Sequence, residues 1–103
     1  MGLGNIMKQA QKMQAKMAVM QEELKTEELE ASAGGGTVKV LITGDLQVKS
    51  ITIDPDAVDP DDVELLQDMT AAAVNEAVRM AQEVAAAKMG AVTGGMNVPG
   101  LGL

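Results

Sequence analysis

The sequence predicts a small α+β domain in which two long helices flank two or three antiparallel strands. Three observations support this fold class: a heptad-like apolar pattern near the N-terminus, a short alternating segment in the middle, and a second helical pattern after a proline-containing turn. The chain has 103 residues, the size of one domain. We predict a single domain over residues 1–90 and a flexible glycine-rich tail over residues 91–103.

The first segment has the pattern of a helix over residues 5–25. Strong helix formers dominate it, and neither Gly nor Pro interrupts it after Asn5. Apolar residues recur there at alternating spacings of four and three, as in a coiled-coil seam. These residues are Ile6, Ala10, Met13, Met17, Met20 and Leu24. A helix of about 22 residues is about 33 Å long, and a compact domain of this size has a radius of gyration of about 13 Å. We expect such a helix to extend beyond its own domain, so a second copy of the chain is the simplest cover for the seam.

Three further segments, residues 27–33, 37–43 and 46–53, are predicted as strands. The first is ambiguous, because TEELEASA from Thr26 also fits a continuation of the preceding helix. As an edge strand it would present alternating charged residues to water, which discourages pairing with other chains. The residues alone therefore predict two or three strands.

The central strand shows the clearest alternation, with Val38, Val40 and Ile42 on one face. A Gly-Asp pair follows it and can form the hairpin connection to the next strand. In that last strand the apolar residues do not keep a regular alternation, and a bulge near Lys49 and Ser50 would place them on one face.

A second helix is predicted over residues 60–88. Asp59 is a suitable N-cap, and Pro60 fits the first helical position. At the other end, Gly90 fits a stop signal and Lys88 complements the helix dipole. Acidic residues are frequent before this helix, but their spacing does not match a calcium-binding loop, and caps and turns account for them.

The composition excludes most catalytic chemistry. The sequence contains no Cys, no His and no aromatic residue. Thiolate and imidazole groups are therefore absent as nucleophiles, bases and metal ligands, and no aromatic ring can stack on a base. We predict a protein that is not an enzyme, with no catalytic residue, metal site, cofactor or small-molecule substrate.

The chain shows no sequence feature that predicts a membrane partner. No apolar run reaches the roughly 18 residues of a membrane span. The N-terminal sequence also lacks the uninterrupted hydrophobic stretch of a signal peptide. We predict a cytoplasmic location.

Charge is distributed unevenly along the chain. The net charge is −7, which would argue against nucleic acid as a partner. Residues 1–20, however, contain Lys8, Lys12 and Lys16 and no acidic residue. Steps of four place these lysines along one stripe of a helix, where they could contact successive phosphates. The alternative is an ordinary solvated helix face.

Methionines at helical spacing allow two interpretations. Such residues usually form a core or a dimer interface, but Met also adapts to varied peptide partners. The second interpretation predicts a protein–protein adaptor whose Met-rich helix seam docks another helix, for example in DNA repair or recombination.

Five segments together resemble the YbaB/EbfC family of bacterial nucleoid-associated proteins. They are GNIMKQAQKMQAKM, GGGTVKVLITG, SITIDPDAV, LLQDMTAAAVNEA and KMGAVTGG. The resemblance implies an α-β-β-β-α chain, favours the strand interpretation of residues 27–33, and implies a tweezer-like homodimer. It further implies largely sequence-nonspecific binding of double-stranded DNA, which contributes to nucleoid organisation and modulates gene expression.

The resemblance also implies where the two functional surfaces lie. Protruding helical parts would contact DNA, which assigns this role to Lys8, Lys12 and Lys16, with Arg79 and Lys88 as secondary candidates. The dimer interface is predicted from the apolar residues of the two helices. These residues are Ile6, Met13, Met17, Met20, Met69 and Met80.

Overall fold

The computed structural model describes residues 2–93, and its fold is α+β with the element order α-β-β-β-α. The elements are α1 (Leu3–Thr26), β1 (Glu28–Ala33), β2 (Val38–Thr43), β3 (Val48–Ile53) and α2 (Val63–Thr93). The strands form one antiparallel sheet in the order β1-β2-β3. The predicted fold class is confirmed, and the ambiguous segment after the first helix is a strand.

The core lies between α2 and one face of the sheet. Val38, Val40 and Ile42 of β2 are completely buried there, as their alternation predicted. The helix faces them with alanines at spacings of four, Ala73, Ala77 and Ala81, which are also completely buried. Alanine carries only a Cβ, so α2 can approach the sheet closely.

α2 packs across β1 and β2 and leaves the apolar residues of β3 uncovered. In antiparallel pairs, directly opposite residues share a face of the sheet. Val48, Ile51 and Ile53 pair with the three buried residues of β2, so they belong to the same apolar face. They are nevertheless 45%, 44% and 38% exposed. We call these three residues the β3 shelf.

The predicted bulge in β3 is confirmed. Leu41 pairs with Ser50, whereas the next residue, Ile42, pairs with Val48. Lys49 is therefore the additional residue on β3. Without this bulge, regular alternation over residues 48–51 would point Val48 to the opposite face from Ile51.

The predicted start of the last strand at residue 46 is wrong, because Leu46 belongs to the hairpin loop. It adopts a positive φ of 70° and its N–H donates to the carbonyl of Thr43. A three-residue loop of this kind needs a left-handed residue at its third position. Gly44 serves a different purpose, since a Cβ there would lie 2.9 Å from the carbonyl oxygen of Leu24.

The predicted range 60–88 for the second helix is wrong at both ends. The Asp62 side chain accepts a hydrogen bond from the N–H of Leu65, so Asp62 and not Asp59 caps the helix. Asp59 instead accepts from the N–H of Asp61 within the preceding turn.

At the C-terminal end, Gly90 does not stop α2, which continues to Thr93. Glycine costs about 1 kcal/mol relative to alanine inside a helix, and in this last turn Ala91 and Val92 line the groove between α2 and α1. The predicted tail therefore begins in helix over residues 91–93, and residues 94–103 lie outside the described part of the chain.

α1 runs antiparallel to the C-terminal half of α2 and extends beyond it. Glu23 forms an ion pair with Lys88, whereas Lys16, two turns earlier in α1, lies beside Val92. Moving toward the N-terminus of α1 therefore leads past the last described turn of α2. We call residues 3–16 of α1 the arm.

The arm makes the molecule long and narrow. Its extents are 70 × 26 × 15 Å, and its radius of gyration is 19.5 Å, compared with about 13 Å for a compact chain of this length. α1 also starts two residues earlier than the predicted residue 5, with Gly2 as an N-cap that has no side chain to offer.

Among residues 2–93, the helix seam of α1 is covered at its C-terminal end only. Met20 and Leu24 are buried by α2 and by the β2–β3 turn, so no second copy is required there. Toward the N-terminus, Leu3, Ile6 and Met7 are 74%, 63% and 56% exposed. The expected need for external cover therefore applies to the arm alone.

Candidate nucleic-acid interface

Three lysines form a stripe along the arm. Lys8, Lys12 and Lys16 follow one another at steps of four residues, which separates them by about 6 Å along the helix axis and keeps them on one side. All three are exposed. Among residues 2–93 none of them has a carboxylate within ion-pair distance. The stripe, as we call it, therefore carries three charges that the fold does not use.

Arg79, a secondary candidate for DNA contact, is held by two carboxylates of its own helix. Its Nη2 lies 2.6 Å from Oε1 of Glu76, and its Nη1 lies 2.9 Å from Oε1 of Glu83. The hydrogen bond to Glu76 raises the pKa of Arg79, and the same bond lowers the pKa of Glu76. The guanidinium is thus already hydrogen-bonded on two sides and surrounded by negative charge.

Lys88, the other secondary candidate, joins the two helices. Its Nζ lies 3.0 Å from Oε2 of Glu23 and 3.7 Å from Oε2 of Glu27. The hydrogen bond to Glu23 raises the pKa of Lys88 above its ordinary value. The position of this amine is explained by the contact between α1 and α2.

Two further lysines are also paired with carboxylates. Lys25 contacts Glu22 at 3.3 Å and Lys49 contacts Glu28 at 2.9 Å. Of the eight Lys and Arg residues, all of which lie in the described range, four are therefore neutralised locally.

Sequence reasoning missed a fourth unpaired cation, Lys39. It is exposed on the polar face of the sheet, where its register neighbours are Ser32 on β1 and Thr52 on β3. Within residues 2–93 it has no carboxylate partner. The alternation of β2 indicates the exposure of Lys39, because this residue stands between two buried valines and therefore points to the opposite face of the sheet.

The residues predicted for the dimer interface occupy three different environments. Met20 is buried within its own chain, and Met69 and Met80 pack against the core of their own chain. Met13 and Met17 are half-buried on α1, and Ile6 is exposed on the arm. The structure thus shows intrachain contacts for half of the predicted set.

The β3 shelf is the apolar surface that sequence reasoning did not single out. Alternation across the bulge placed its residues on one face, but the sequence did not show which strands α2 would cover. An uncovered continuation of a core face is a typical protein-binding surface.

The acidic segment before α2 serves local structure. Asp54 accepts a hydrogen bond from the N–H of Asp56 at 3.0 Å. Asp59 accepts from the N–H of Asp61, and Asp62 accepts from the N–H of Leu65. In the part of the chain that the structure describes, no three carboxylates are grouped so that they could hold a metal ion. Across the same residues, neither helix combines the length and apolar character that crossing a membrane requires.

The chemistry available to the stripe is recognition of phosphate. Each lysine ammonium is a point charge on a flexible stem, so it contacts phosphate oxygens without a fixed geometry. The arm carries no Arg for bidentate contact with guanine and no aromatic ring for stacking. Contacts of this kind position a protein on nucleic acid but do not read its sequence.

Comparison with known proteins identifies a DNA-binding family. The model of the YbaB/EbfC DNA-binding family matches residues 1–96. A nucleoid-associated protein from Desulforamulus reducens is 57% identical over 99 residues, which cover 96% of this chain and 94% of the relative. A nucleoid-associated protein from Alkaliphilus metalliredigens is 56% identical over 99 residues, covering 96% of this chain and 87% of the relative.

The fold is also similar to that of a solved structure. The crystal structure of the uncharacterized protein HP0035 from Helicobacter pylori superimposes with a TM-score of 0.72 at 22% identity. The match covers 81% of this chain and 87% of that chain. At this identity the likeness supports the α-β-β-β-α fold.

Proposed function

This chain belongs to the YbaB/EbfC DNA-binding family, and we propose that it binds double-stranded DNA as a homodimer, without catalysis and largely independently of base sequence. The observation that carries this proposal is the stripe: three unpaired lysines on an acid-free arm that projects from the domain. In the cell, such binding would contribute to nucleoid organisation, in line with the name nucleoid-associated protein that the relatives carry, and would modulate gene expression.

Sequence-independent binding follows from the side chains that the arm offers. Lysine contacts to phosphates supply affinity that decreases steeply with salt and is similar for any duplex. The net charge of −7 adds repulsion over the rest of the molecule, so the arm is the only part of the described chain that presents a group of unpaired positive charges. We expect weak binding that strengthens when several molecules bind side by side.

The homodimer is supported by the β3 shelf. Its three residues continue the face that α2 covers over β1 and β2, and they lie on an edge strand with unpaired backbone groups. A long apolar edge strand is a template for pairing with another chain. A second copy would cover the shelf and would place two stripes on one particle, six lysines in all.

The location that follows from this function is the cytoplasm, at the nucleoid. The adaptor alternative is less well supported, since it needs a free methionine seam. Met20 is buried and Met69 and Met80 contact the core of their own chain, so most of that seam is already occupied.

Substitution of the stripe tests the proposal. The variant with Lys8, Lys12 and Lys16 changed to Ala removes three exposed amines without touching the core. A matched control changes Lys25, Lys39 and Lys49 to Ala, which alters the net charge equally. Affinity for several unrelated duplexes is measured by fluorescence anisotropy at fixed salt.

We expect a loss of affinity of at least about tenfold for the stripe variant on every duplex, because three phosphate contacts per chain are removed. The control should stay closer to wild type, since two of its lysines are already ion-paired. Equal losses in the two variants, or a wild type that prefers one duplex strongly, would contradict the proposal.

A further inference from the structure

The two ends of the molecule carry opposite charge. Residues 2–20 hold the three lysines of the stripe and no acid, whereas residues 54–68 hold seven carboxylates and no basic residue. We call residues 54–68 the acidic end. All seven of its carboxylates are exposed, and within the described chain none of them forms an ion pair.

The fold keeps these two regions far apart. From the Glu23–Lys88 contact, α1 extends about 30 Å to Leu3, and α2 extends about 38 Å in the opposite direction to Val63. Together these lengths match the 70 Å long axis of the molecule. The arm of a chain therefore cannot reach its own acidic end, and any contact between the two must join different molecules.

Both regions also expose apolar side chains, which on the arm lie mainly on the other side of the helix from the stripe. On the arm these are Leu3, Ile6 and Met7, which are among the most exposed large apolar residues of the chain. At the acidic end they are Val58, Val63 and Leu65. In the part of the chain that the structure describes, Val92 of α2 shares a groove with Ile6 and Met13, and Leu3, Ile6 and Met7 remain exposed.

We propose that the arm of one molecule docks head to tail on the acidic end of another molecule of this chain. Charge complementarity identifies the occupant, because the surface that fits a row of exposed, unpaired lysines is a surface of exposed, unpaired carboxylates. Such a contact joins two different patches of the same chain, so it can repeat from molecule to molecule and extend into open chains. It goes beyond DNA binding, since no nucleic acid takes part.

Docking and DNA binding would use the same lysines. Free protein would then hold part of its arms in head-to-tail contacts, and phosphates would compete for them. The β3 shelf is not part of the docked surfaces, so the proposed homodimer can form at the same time.

Sedimentation equilibrium of DNA-free protein tests the proposal. The protein concentration is set well above the dissociation constant of the homodimer. Two salt concentrations are compared, 0.01 M and 1 M, where the screening lengths are about 30 Å and about 3 Å. Net charge alone predicts the opposite trend from docking, because molecules of charge −7 repel one another more at low salt. We expect the weight-average mass to be at least about twofold higher at low salt, because screening weakens the contact.

Paired variants identify the surface. Asp59, Asp61 and Asp62 are changed to Asn, a residue that caps helices and turns as well as Asp, so the fold is retained. The matched control changes Glu22, Glu30 and Glu83 to Gln and raises the net charge by the same three units. The Asn variant should lose the mass increase and the Gln control should keep it, with circular dichroism showing equal helix content.

A mixing experiment completes the test. The Lys8, Lys12, Lys16→Ala variant has intact acidic ends, and the Asn variant has intact arms. Neither variant alone should exceed the mass of the homodimer at low salt, and an equimolar mixture should recover at least about half of the wild-type mass increase, because each supplies the surface the other lacks. The proposal would be overturned by a wild-type mass that is equal at both salts, by an unaffected Asn variant, or by a mixture that stays at the mass of the homodimer. Since no DNA is present, its failure would leave the proposed DNA binding untouched.

Discussion

Compared with the arm, the face of β2 that packs against α2 leaves no side chain exposed to solvent. Val38, Val40 and Ile42 are completely buried, whereas Leu3 and Ile6 of the arm are mostly exposed. The sheet holds one of the four unpaired lysines and the arm holds three. The difference supports the proposal that stability and recognition are carried by separate regions of one small chain.

The separation also explains how an acidic protein can bind DNA. Half of the basic residues are paired with neighbouring carboxylates and contribute little to the field outside the molecule. The stripe projects away from most of the acids on a helix without negative charge. Net charge is therefore a poor predictor of DNA binding for this chain, and the proposed binding depends on where the unpaired lysines lie.

The largest expected effect concerns the covered region. Changing Ile42 to Ala should lower the free energy of unfolding by about 2–5 kcal/mol, because it leaves a cavity in a fully buried site. Urea denaturation followed by circular dichroism measures it. The comparison predicts that the folded fraction retains wild-type affinity for DNA, and a loss of affinity in fully folded protein would show that the regions are coupled.

The β3 shelf provides the next test. Changing Ile51 to Glu should weaken the homodimer at least about 100-fold, equivalent to about 2.8 kcal/mol, because the interface would bury an unpaired carboxylate. Thr52 to Glu is the matched control, since Thr52 lies next to it on the opposite face. Sedimentation at high salt gives the dimer constant, and equal effects of the two changes would exclude the shelf as the interface.

A smaller effect is expected where the two regions join. Gly44 faces Leu24 so closely that a Cβ would lie 2.9 Å from the Leu24 carbonyl oxygen. Gly44 to Ala should therefore cost about 1–3 kcal/mol of stability, as overpacking typically does. Thermal denaturation checks this result, with Gly4 to Ala as the control, because Gly4 has open space around it and no positive φ. An unchanged melting temperature would mean that α1 shifts freely on the sheet.

The smallest effect is predicted for Arg79, whose guanidinium is bound by Glu76 and Glu83. Arg79 to Met should change DNA affinity by less than about twofold, because an exposed, ion-paired cation contributes little. The pKa of Glu76, lowered by the hydrogen bond from Arg79, should rise toward its ordinary value in this variant. A tenfold loss of affinity would restore Arg79 as a DNA contact.

The sign of the accompanying pH effect follows from that pKa. Because folding lowers the pKa of Glu76, the pair stabilises the folded state above the unfolded-state pKa. This contribution is lost as the pH falls through the folded-state pKa. A carboxyl titration followed by NMR in wild type and variant measures the difference.

Local patterns predicted most of the fold because they depend on neighbouring residues. The alternation of β2, the bulge at Lys49 and the helical pattern of α1 all follow from side-chain periodicity. The ends of α2 were not predictable in this way. Gly90 fits a stop signal but remains helical, in a turn where Ala91 and Val92 line a groove with α1, and the sequence does not show this tertiary placement.

The candidate site was predictable to the same extent. The stripe was identified from spacing and from the absence of acids, both of which are local properties. The partners of Arg79 were within reach of spacing rules, at three and four residues, whereas the Lys88–Glu23 contact joins residues far apart in the chain. The shelf depends on which strands α2 covers, and only the folded chain shows this.

The dependence of DNA affinity on salt tests the central claim most directly. A homodimer that engages both stripes neutralises phosphates with six lysines, which gives a slope of about −5 in a plot of log affinity against log salt concentration. The account predicts this slope for the wild-type protein and a slope near zero when the stripe is changed to Ala. A wild-type slope of about −2.7, as expected for a single stripe, or a slope that the substitutions leave unchanged would contradict it.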